Sequence, residues 1–483
     1  MNKKIEPRDN NTSNQQPAIN GGAARINFRQ FVFRSAHLFA LFGFSVAQPI
    51  YDILGKNPVF FTAHKSGFSE IIFLALLLSV LLPLLLAIIG YAVVIVRPSW
   101  TTVLYSVLVG VMGALFAFPL VKSIFDGSFP VVALSIVVGG IAGLLYAKFE
   151  ITRTFLAVTS PAVVFVFPVL FLTTSPVAKL AQEAPEGALS GVVVDEALPV
   201  FLIVFDEVGT SALLNGQGEI DAYRFPGFDR LRSSGTWYPN ATAVTSSTEA
   251  AVPAILTGTL QHDADGLPTA AQRPDNLFTW LGGSFKLNVS ESITALCPPA
   301  LLSSTNTIES PGMTSAMVRD ASIVYLHLVM PLAWSERMLP PIDASWSEFT
   351  FKIEDAEESF SQPNIDKVSQ VEEKVERDFV SDGVGNRSRQ FNEFLRRIRS
   401  KPQRQLNFLH LKLPHVPYEY LPSGRMYVRE RIIFPDGIES DAKVWSDNEV
   451  LINLAHHRYL LQVAFVDRML NRVLDELERL SKI

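Results

Sequence analysis

The chain has 483 residues, of which 48% are hydrophobic, and a formal net charge of −6 at pH 7. This acidic balance, with no basic stretch interleaved with aromatic residues, argues against a nucleic-acid partner. A single cysteine, Cys297, excludes an intramolecular disulfide framework. Charged residues are sparse between Phe31 and Leu180 and frequent from Gln182 onward. This asymmetry predicts a membrane half followed by a water-exposed half.

The N-terminal part is predicted to be a disordered tail followed by a transmembrane domain. Residues 1–27 are polar and cannot bury a core, so they are predicted to be disordered. Residues 28–178 carry five apolar segments, most of them close to the roughly 20 helical residues that cross a bilayer. We place these spans at 36–54, 71–96, 102–121, 130–149 and 155–174. The first is the least regular, because Gln48, Pro49 and Asp52 interrupt its end.

Basic residues predict the orientation of these spans. Six of them precede the first span, and others lie in the second and fourth loops, at Arg97, Lys148 and Arg153. The positive-inside rule therefore predicts a cytoplasmic N-terminus. With five spans, residues after Lys179 lie outside the cytoplasm. We accordingly expect a multi-pass protein of the cell membrane, whose first partner is the lipid bilayer.

The water-exposed half is predicted to be an α/β domain at 199–483, after an Ala-, Glu- and Pro-rich linker at 179–198. It opens with an uninterrupted apolar strand from Val200 to Phe205, which suits a parallel sheet covered on both faces. Asp206 and Glu207 follow directly. Ligands bind at the carboxyl ends of strands in such sheets, and paired carboxylates can hold a divalent cation. The alternative is an acidic pair that only begins a turn or caps a helix.

Further elements follow from apolar spacing. They are a helix at 225–234, a turn at 235–243 leading into a second strand, a helix from 248 to 260, an acidic solvated insertion at 352–382, a helix at 390–398, a strand at 406–413 and a long amphipathic helix at 450–480.

A run of hydroxyl residues begins the helix that ends in Ile255-Leu256-Thr257-Gly258. A hydroxyl in the first helical turn lies among free backbone N–H groups, an environment that favours a nucleophile attacking a phosphate-like anion. The alternative is structural, because Ser246 and Glu249 have the spacing of a capping box.

The order of these parts resembles the alkaline phosphatase superfamily, in particular its sulfatase-like branch. That branch places a metal-binding acidic pair after the first strand and a nucleophile before a Leu-Leu-Thr-Gly segment. The match extends from about Pro199 to the C-terminus and includes Phe225 to Leu231, Gly235 to Tyr238 and Asn240 to Thr242. Phosphoethanolamine transferases and lipoteichoic acid synthases also share the architecture of five spans and an extracytoplasmic domain.

The resemblance implies specific roles. Asp206 would bind a divalent metal (Zn, Mn, Mg or Ca), with Glu207 as a second ligand. Thr248 would be the nucleophile and a metal ligand, because it stands at the nucleophile position relative to Leu256-Thr257-Gly258. His415, in His415-Val416-Pro417, is similar to a substrate-facing histidine of the lipid-phosphate transferases. The implied activity is a metal-dependent hydrolase or phospho-transferase acting on phosphate or sulfate esters of envelope lipids or glycans.

Two departures limit this resemblance. The Pro and Arg of the formylglycine signature are missing around Thr248, which favours phosphoryl transfer over sulfatase chemistry. The family also has a further strand ending in Asp-His-Gly, and the sequence contains no such segment. The expected fold is therefore truncated and half of the metal site is missing. The alternative hypothesis is a truncated, inactive membrane protein.

Cys297 is expected to be inert, and His456, His457, His262 and Asp263 are not expected to form a site.

Overall fold

The computed structural model describes residues 28–125, 127–181, 194, 198–260, 266–302, 313–340, 342, 386–398, 404–426, 438–439, 444–445 and 447–481. The predicted N-terminal tail, the insertion at 352–382, and His262 with Asp263 lie outside the described residues, as does most of the predicted linker. The predictions for those segments remain predictions.

Five helices in the N-terminal region are long and apolar enough to cross a membrane, as the sequence predicts. They span Gln30–Lys56, Phe68–Val96, Pro98–Lys122, Ser128–Lys148 and Glu150–Thr173. The first span consists of α1 (Phe28–Phe42), a π-helical turn (Gly43–Ala47) and α2 (Gln48–Lys56), and the second of α4 (Phe68–Leu76), a π-helical turn (Leu77–Leu81) and α5 (Leu82–Val96). The third consists of a 3₁₀ turn (Pro98–Trp100) and α6 (Thr101–Lys122). The fourth and fifth spans are α7 (Ser128–Lys148) and α8 (Glu150–Thr173). A short helix, α3 (Val59–Ala63), joins the first two spans.

The first span is longer than predicted. Pro49 does not end it, because Pro49 lies in the first turn of α2, directly after the π-helical turn. A proline is tolerated there because the regular hydrogen-bond ladder of this continuous helix is already altered at the π-helical turn.

Glycines allow α6 and α7 to pack closely. A Cβ on Gly139 would lie 2.3 Å from the Gly110 carbonyl oxygen and 2.7 Å from the Ala114 Cβ, and one on Gly143 would lie 2.6 Å from the Ser106 carbonyl oxygen. A Cβ on Gly140 would meet nothing within 4 Å. Gly139 and Gly143 therefore face α6, whereas Gly140 does not.

The water-exposed half contains a small parallel sheet with helices around it. Its strands are β1 (Val200–Phe205), β2 (Lys286–Ser290) and β3 (Gln405–Leu411), in the order β1-β3-β2; β4 (Ile438–Glu439) and β5 (Val444–Trp445) form a separate antiparallel pair. The helices are α9 (Thr210–Leu213), α10 (Pro226–Ser234), α11 (Thr248–Thr257), α12 (Leu277–Leu281), α13 (Met313–Val329), α14 (Leu332–Met338), α15 (Asn386–Ile398) and α16 (Glu449–Ser481), and 3₁₀ turns lie at Pro176–Ala181 and Pro299–Leu301.

The central strand is β3, not β1. All residues of β3 are buried, whereas β1, which pairs on one side only among the described strands, is half-buried. Both faces of β1 are nevertheless covered, as the apolar run predicts: Phe201, Ile203 and Phe205 pack toward α15 and α16. The alternate residues, Leu202 and Val204, pack toward α11 and α12.

Two local predictions need correction. Residues 235–247, all described by the structure, contain no strand. The residue that caps α11 is Ser247 rather than Ser246, and its side chain accepts no hydrogen bond from the first turn. Its hydroxyl instead donates to Glu249 Oε2 at 2.7 Å, so the predicted capping box does not form.

Helix α13 attaches the α/β region to the membrane helices. Met317 and Ala321 are buried in one cluster with residues of α2, α3, α4 and α8. His64, at the end of α3, pairs with Asp320 over 3.0 Å, and both side chains are buried. The Thr62 hydroxyl donates to the Ile293 carbonyl oxygen just after β2. The loop that follows the carboxyl end of β2 therefore contacts the membrane-proximal helix α3.

The glycine packing between α6 and α7 predicts different effects for neighbouring substitutions. Gly139→Val places side-chain atoms where the Gly110 carbonyl and the Ala114 methyl lie, so we expect a cost of about 1–3 kcal/mol. Gly140→Val makes the same chemical change in open space and is the matched control. Thermal unfolding in detergent should show a lower midpoint for Gly139→Val alone. Equal midpoints for the two variants would contradict this packing.

Candidate functional site

The site lies at the carboxyl end of β1, where Asp206 extends the parallel ladder. The Asp206 backbone N–H donates to the Leu411 carbonyl oxygen at 3.1 Å. Because side chains alternate along a strand, Asp206 continues the face of Leu202 and Val204, which is the face that α11 and α12 cover. Its carboxylate therefore points to the side of the sheet from which α11 begins.

Thr248 is the first residue of α11 and reaches this carboxylate. Its hydroxyl oxygen lies 3.4 Å from Asp206 Oδ1 and 3.3 Å from Asp206 Oδ2. In this first turn the Ala250 and Ala251 N–H groups donate to the Ser247 carbonyl oxygen. The N–H groups of Thr248 and Glu249 have no acceptor within the helix's own ladder and lie at the positive end of the helix dipole. The structure thus brings together the two residues for which the family resemblance implies metal binding and nucleophilic attack.

Glu207 turns away from the strand and pairs with a histidine. Its backbone is left-handed, with φ of +66°, so its side chain does not continue the alternation of β1. Glu207 Oε1 lies 3.3 Å from His415 Nε2. The Tyr459 hydroxyl donates to the Glu207 carbonyl oxygen and accepts from the Gly209 N–H, both at 2.9 Å. Helix α16 thereby fixes this turn.

The loop that carries His415 is held from two sides. Arg387 in α15 donates to the carbonyl oxygens of His415 and Val416, at 2.8 and 2.9 Å. Gln462 in α16 is fully buried. Its amide nitrogen donates to the Pro414 and His415 carbonyl oxygens, and its oxygen accepts from two backbone N–H groups further along the loop. These contacts place His415 beside Glu207.

His410 is part of the site and was not predicted. It lies on β3 opposite Val204 in the strand register, with no exposed side-chain surface, and its Nε2 lies 3.7 Å from Asp206 Oδ2. Leu406 and Phe408 pack on the α11 side of the sheet, and His410 continues their alternation. That alternation, read together with the parallel pairing of β1 and β3, was the available signal.

The two carboxyl groups of the site have opposite pKa shifts. Burial by itself raises the pKa of Asp206, but the neighbouring His410 imidazole, the charge of His415 and the Thr248 hydroxyl together lower it below its ordinary value. Burial raises the pKa of Glu207, His415 opposes that shift, and the charge of Asp206 adds to it, so the pKa of Glu207 is raised. Asp206 is therefore the stronger acid of the two carboxyl groups.

The side chains that fit a cation best are Asp206, Thr248 and His410. Among the described residues there is no group of three or more His, Cys, Asp and Glu side chains that could hold a metal. The site offers two such side chains and one hydroxyl, a donor set that leaves coordination positions for water or substrate. Glu207 was predicted as a second ligand, but its carboxylate contacts His415 instead.

The remaining candidates lie away from this site or are inert. His456 and His457 are exposed on α16, and His456 stacks on Tyr459. Cys297 is buried, and burial together with the nearby Glu291 charge raises the pKa of its thiol. Cys297 therefore lacks the depressed pKa of a reactive thiol.

The contacts of Gln462 predict that it is required for the His415 loop. Gln462→Leu leaves buried backbone groups without partners, at a cost of about 2 kcal/mol or more. Asn453→Leu makes a comparable change at an exposed position of the same helix and serves as the control. Chemical denaturation should show the loss for Gln462→Leu only. A Gln462→Leu protein as stable as the wild type would contradict this assignment.

Comparison with known proteins adds no relative to this description. No family model, no curated protein and no solved structure matches the chain. A chemical role for this site therefore has to come from its own residues and their geometry.

Proposed function

We propose that the protein is a membrane-anchored, metal-dependent hydrolase or phospho-transferase of the sulfatase-like branch of the alkaline phosphatase superfamily. Its substrates would be phosphate or sulfate esters of the cell envelope. One observation carries this proposal: the Thr248 hydroxyl, at the start of α11, lies 3.3–3.4 Å from the carboxylate that ends β1. Two segments distant in the sequence supply, at one point, the nucleophile and the carboxylate that this chemistry requires.

Each residue has a role in the proposed reaction. Asp206 accepts the hydrogen bond of the Thr248 hydroxyl and so orients its lone pairs toward a substrate. The free N–H groups in the first turn of α11 favour the anionic ester. Thr248 Oγ1 gives its proton to the Asp206 carboxylate and bonds to phosphorus, while the ester oxygen leaves with its electron pair. We assign the protonation of the leaving oxygen to His415. Water, or an acceptor hydroxyl, then releases the group from Thr248.

A divalent cation fits this arrangement. Asp206, Thr248 and His410 would hold it, and Asp206 is the ionised ligand among them. When bound, such a cation lowers the pKa of a coordinated hydroxyl and neutralises charge on the transferred group.

The position of the site supports an envelope substrate. The Thr62 hydroxyl in α3 donates to the Ile293 carbonyl oxygen after β2, and the neighbouring Ser292 hydroxyl donates to the His410 carbonyl oxygen on β3. The carboxyl end of the sheet therefore lies toward the membrane-proximal helix α3. The positive-inside rule predicts a cytoplasmic N-terminus, and with five candidate spans this side would then lie on the outer face of the membrane. Esters at the outer membrane surface are then within reach.

A competing function is a membrane-bound binding protein without catalytic activity. The observation that favours it is that the described residues contain no group of three or more His, Cys, Asp and Glu side chains for a metal. Turnover measurements separate the two functions.

Removal of the nucleophile is expected to abolish turnover. Thr248→Ala should lower hydrolysis of p-nitrophenyl phosphate or of a phosphodiester, assayed with Zn²⁺, Mn²⁺ or Mg²⁺, by about 100-fold or more. Thr257→Ala, at the other end of the same helix, is the matched control. Wild-type rates in Thr248→Ala would end the case for a threonine nucleophile, and no turnover by the wild type with any ester would favour the binding protein.

The orientation makes a separate prediction for labelling of intact cells. A cysteine at the exposed position of Tyr223 should react with a membrane-impermeant maleimide, whereas a cysteine at exposed Glu150 should react only after lysis. The native Cys297 is buried and contributes little background. The reverse pattern would place the α/β region in the cytoplasm and contradict an extracytoplasmic substrate.

A further inference from the structure

His410 is a buried histidine with unmet bonding capacity. Its side chain has no exposed surface, and neither ring nitrogen has a hydrogen-bond partner among the described residues. A buried polar atom without a partner is destabilising, so each such atom calls for an explanation such as a bound ion. Its Nε2 is close to Asp206 Oδ2, at 3.7 Å. The imidazole is therefore next to the carboxylate that ends β1 but too far away to hydrogen-bond to it.

The separations around Asp206 are those of atoms that share a cation. The Thr248 hydroxyl oxygen is 3.3–3.4 Å from the carboxylate oxygens, longer than the roughly 2.7–2.8 Å typical of O–H···O bonds. Ligand atoms bound to one zinc ion at about 2.0–2.2 Å in a tetrahedral arrangement lie about 3.3–3.6 Å apart. The Thr248–Asp206 separations fall in this range, and the His410–Asp206 separation of 3.7 Å lies just above it. Asp206 and His410 continue the face of the sheet that α11 covers, and Thr248 is the first residue of α11.

We propose that His410 is a metal ligand that completes a cation site with Asp206 and Thr248. Its imidazole selects an ion of the zinc type over magnesium or calcium. Imidazole nitrogen suits zinc, whereas magnesium and calcium prefer ligand sets of oxygen only. One carboxylate, one imidazole and one hydroxyl leave at least one position open, which is the arrangement of catalytic rather than structural zinc sites. This inference rests on the proposed function for its biological meaning, but the site can be tested by binding alone.

The test is a zinc titration of the full-length protein, without a polyhistidine tag, in detergent or nanodiscs. Competition with a chromogenic chelator gives the affinity. The wild type should bind one Zn²⁺ per chain at this site and prefer it to Mg²⁺. His410→Gln should weaken zinc binding by about 10-fold or more and reduce that preference. Asp206→Asn should also weaken it. His457→Gln, which removes an exposed imidazole from α16, should leave the affinity unchanged.

The outcomes separate this inference from the proposed function. Zinc-dependent turnover together with undiminished zinc affinity in His410→Gln would refute the ligand role and leave the function standing. Zinc binding that depends on His410, in a protein that hydrolyses none of the esters offered, would refute the function and leave the ligand role standing. Weaker binding in His415→Gln but not in His410→Gln would overturn the ligand role, because the cation would then lie beside Glu207.

A second measurement decides the matter if His410→Gln does not fold. Zinc X-ray absorption spectra of His415→Gln should contain imidazole scattering from one histidine, because His410 remains. A spectrum with oxygen ligands alone would overturn the inference. Circular dichroism of each variant without metal shows which of the two measurements applies.

Discussion

The parallel pairing of β1 with β3 is the constraint on which the rest of the site depends. Its register sets Val204 opposite His410 and brings the Asp206 N–H to the Leu411 carbonyl oxygen. Since side chains alternate along both strands, Asp206 and His410 come to the same face and to the same end of the sheet. A slip of one residue would send either side chain to the opposite face, among the apolar residues of α15 and α16. The position of Thr248 matters only because this register exists.

Different helices contact the two sides of the strand ends. Helix α16 contacts both the turn at Glu207, through Tyr459, and the loop of His415, through Gln462. On the other side, the Thr62 hydroxyl links α3 to the loop after β2, and the buried His64–Asp320 pair joins α3 to α13. The site is thus located between a long helix that fixes its loops and the helices that pack on the candidate membrane spans. That position would suit esters presented at the membrane surface.

Some of this could be predicted from the sequence because the signals are local. Apolar length predicts the spans, and the stripe along α16 predicts its buried face, on which Val463, Val466 and Val473 are buried. Other features depend on tertiary partners. Residues 235–247 have the composition of a turn and a strand, but no strand forms there. The last strand of the sheet in the chain, β3, lies between β1 and β2, and no pattern within β1 encodes that order. His410 resembles an ordinary core residue until the partner strand and its register are known.

Anomalous difference density at the zinc absorption edge, in crystals grown with Zn²⁺, tests the central claim most directly. That claim is that Asp206, Thr248 and His410 converge on one cation. The account predicts a peak about 2.0–2.2 Å from an Asp206 carboxylate oxygen, the Thr248 hydroxyl and His410 Nε2. A peak between Glu207 and His415 instead, or three side chains too far apart to share an ion, would contradict it.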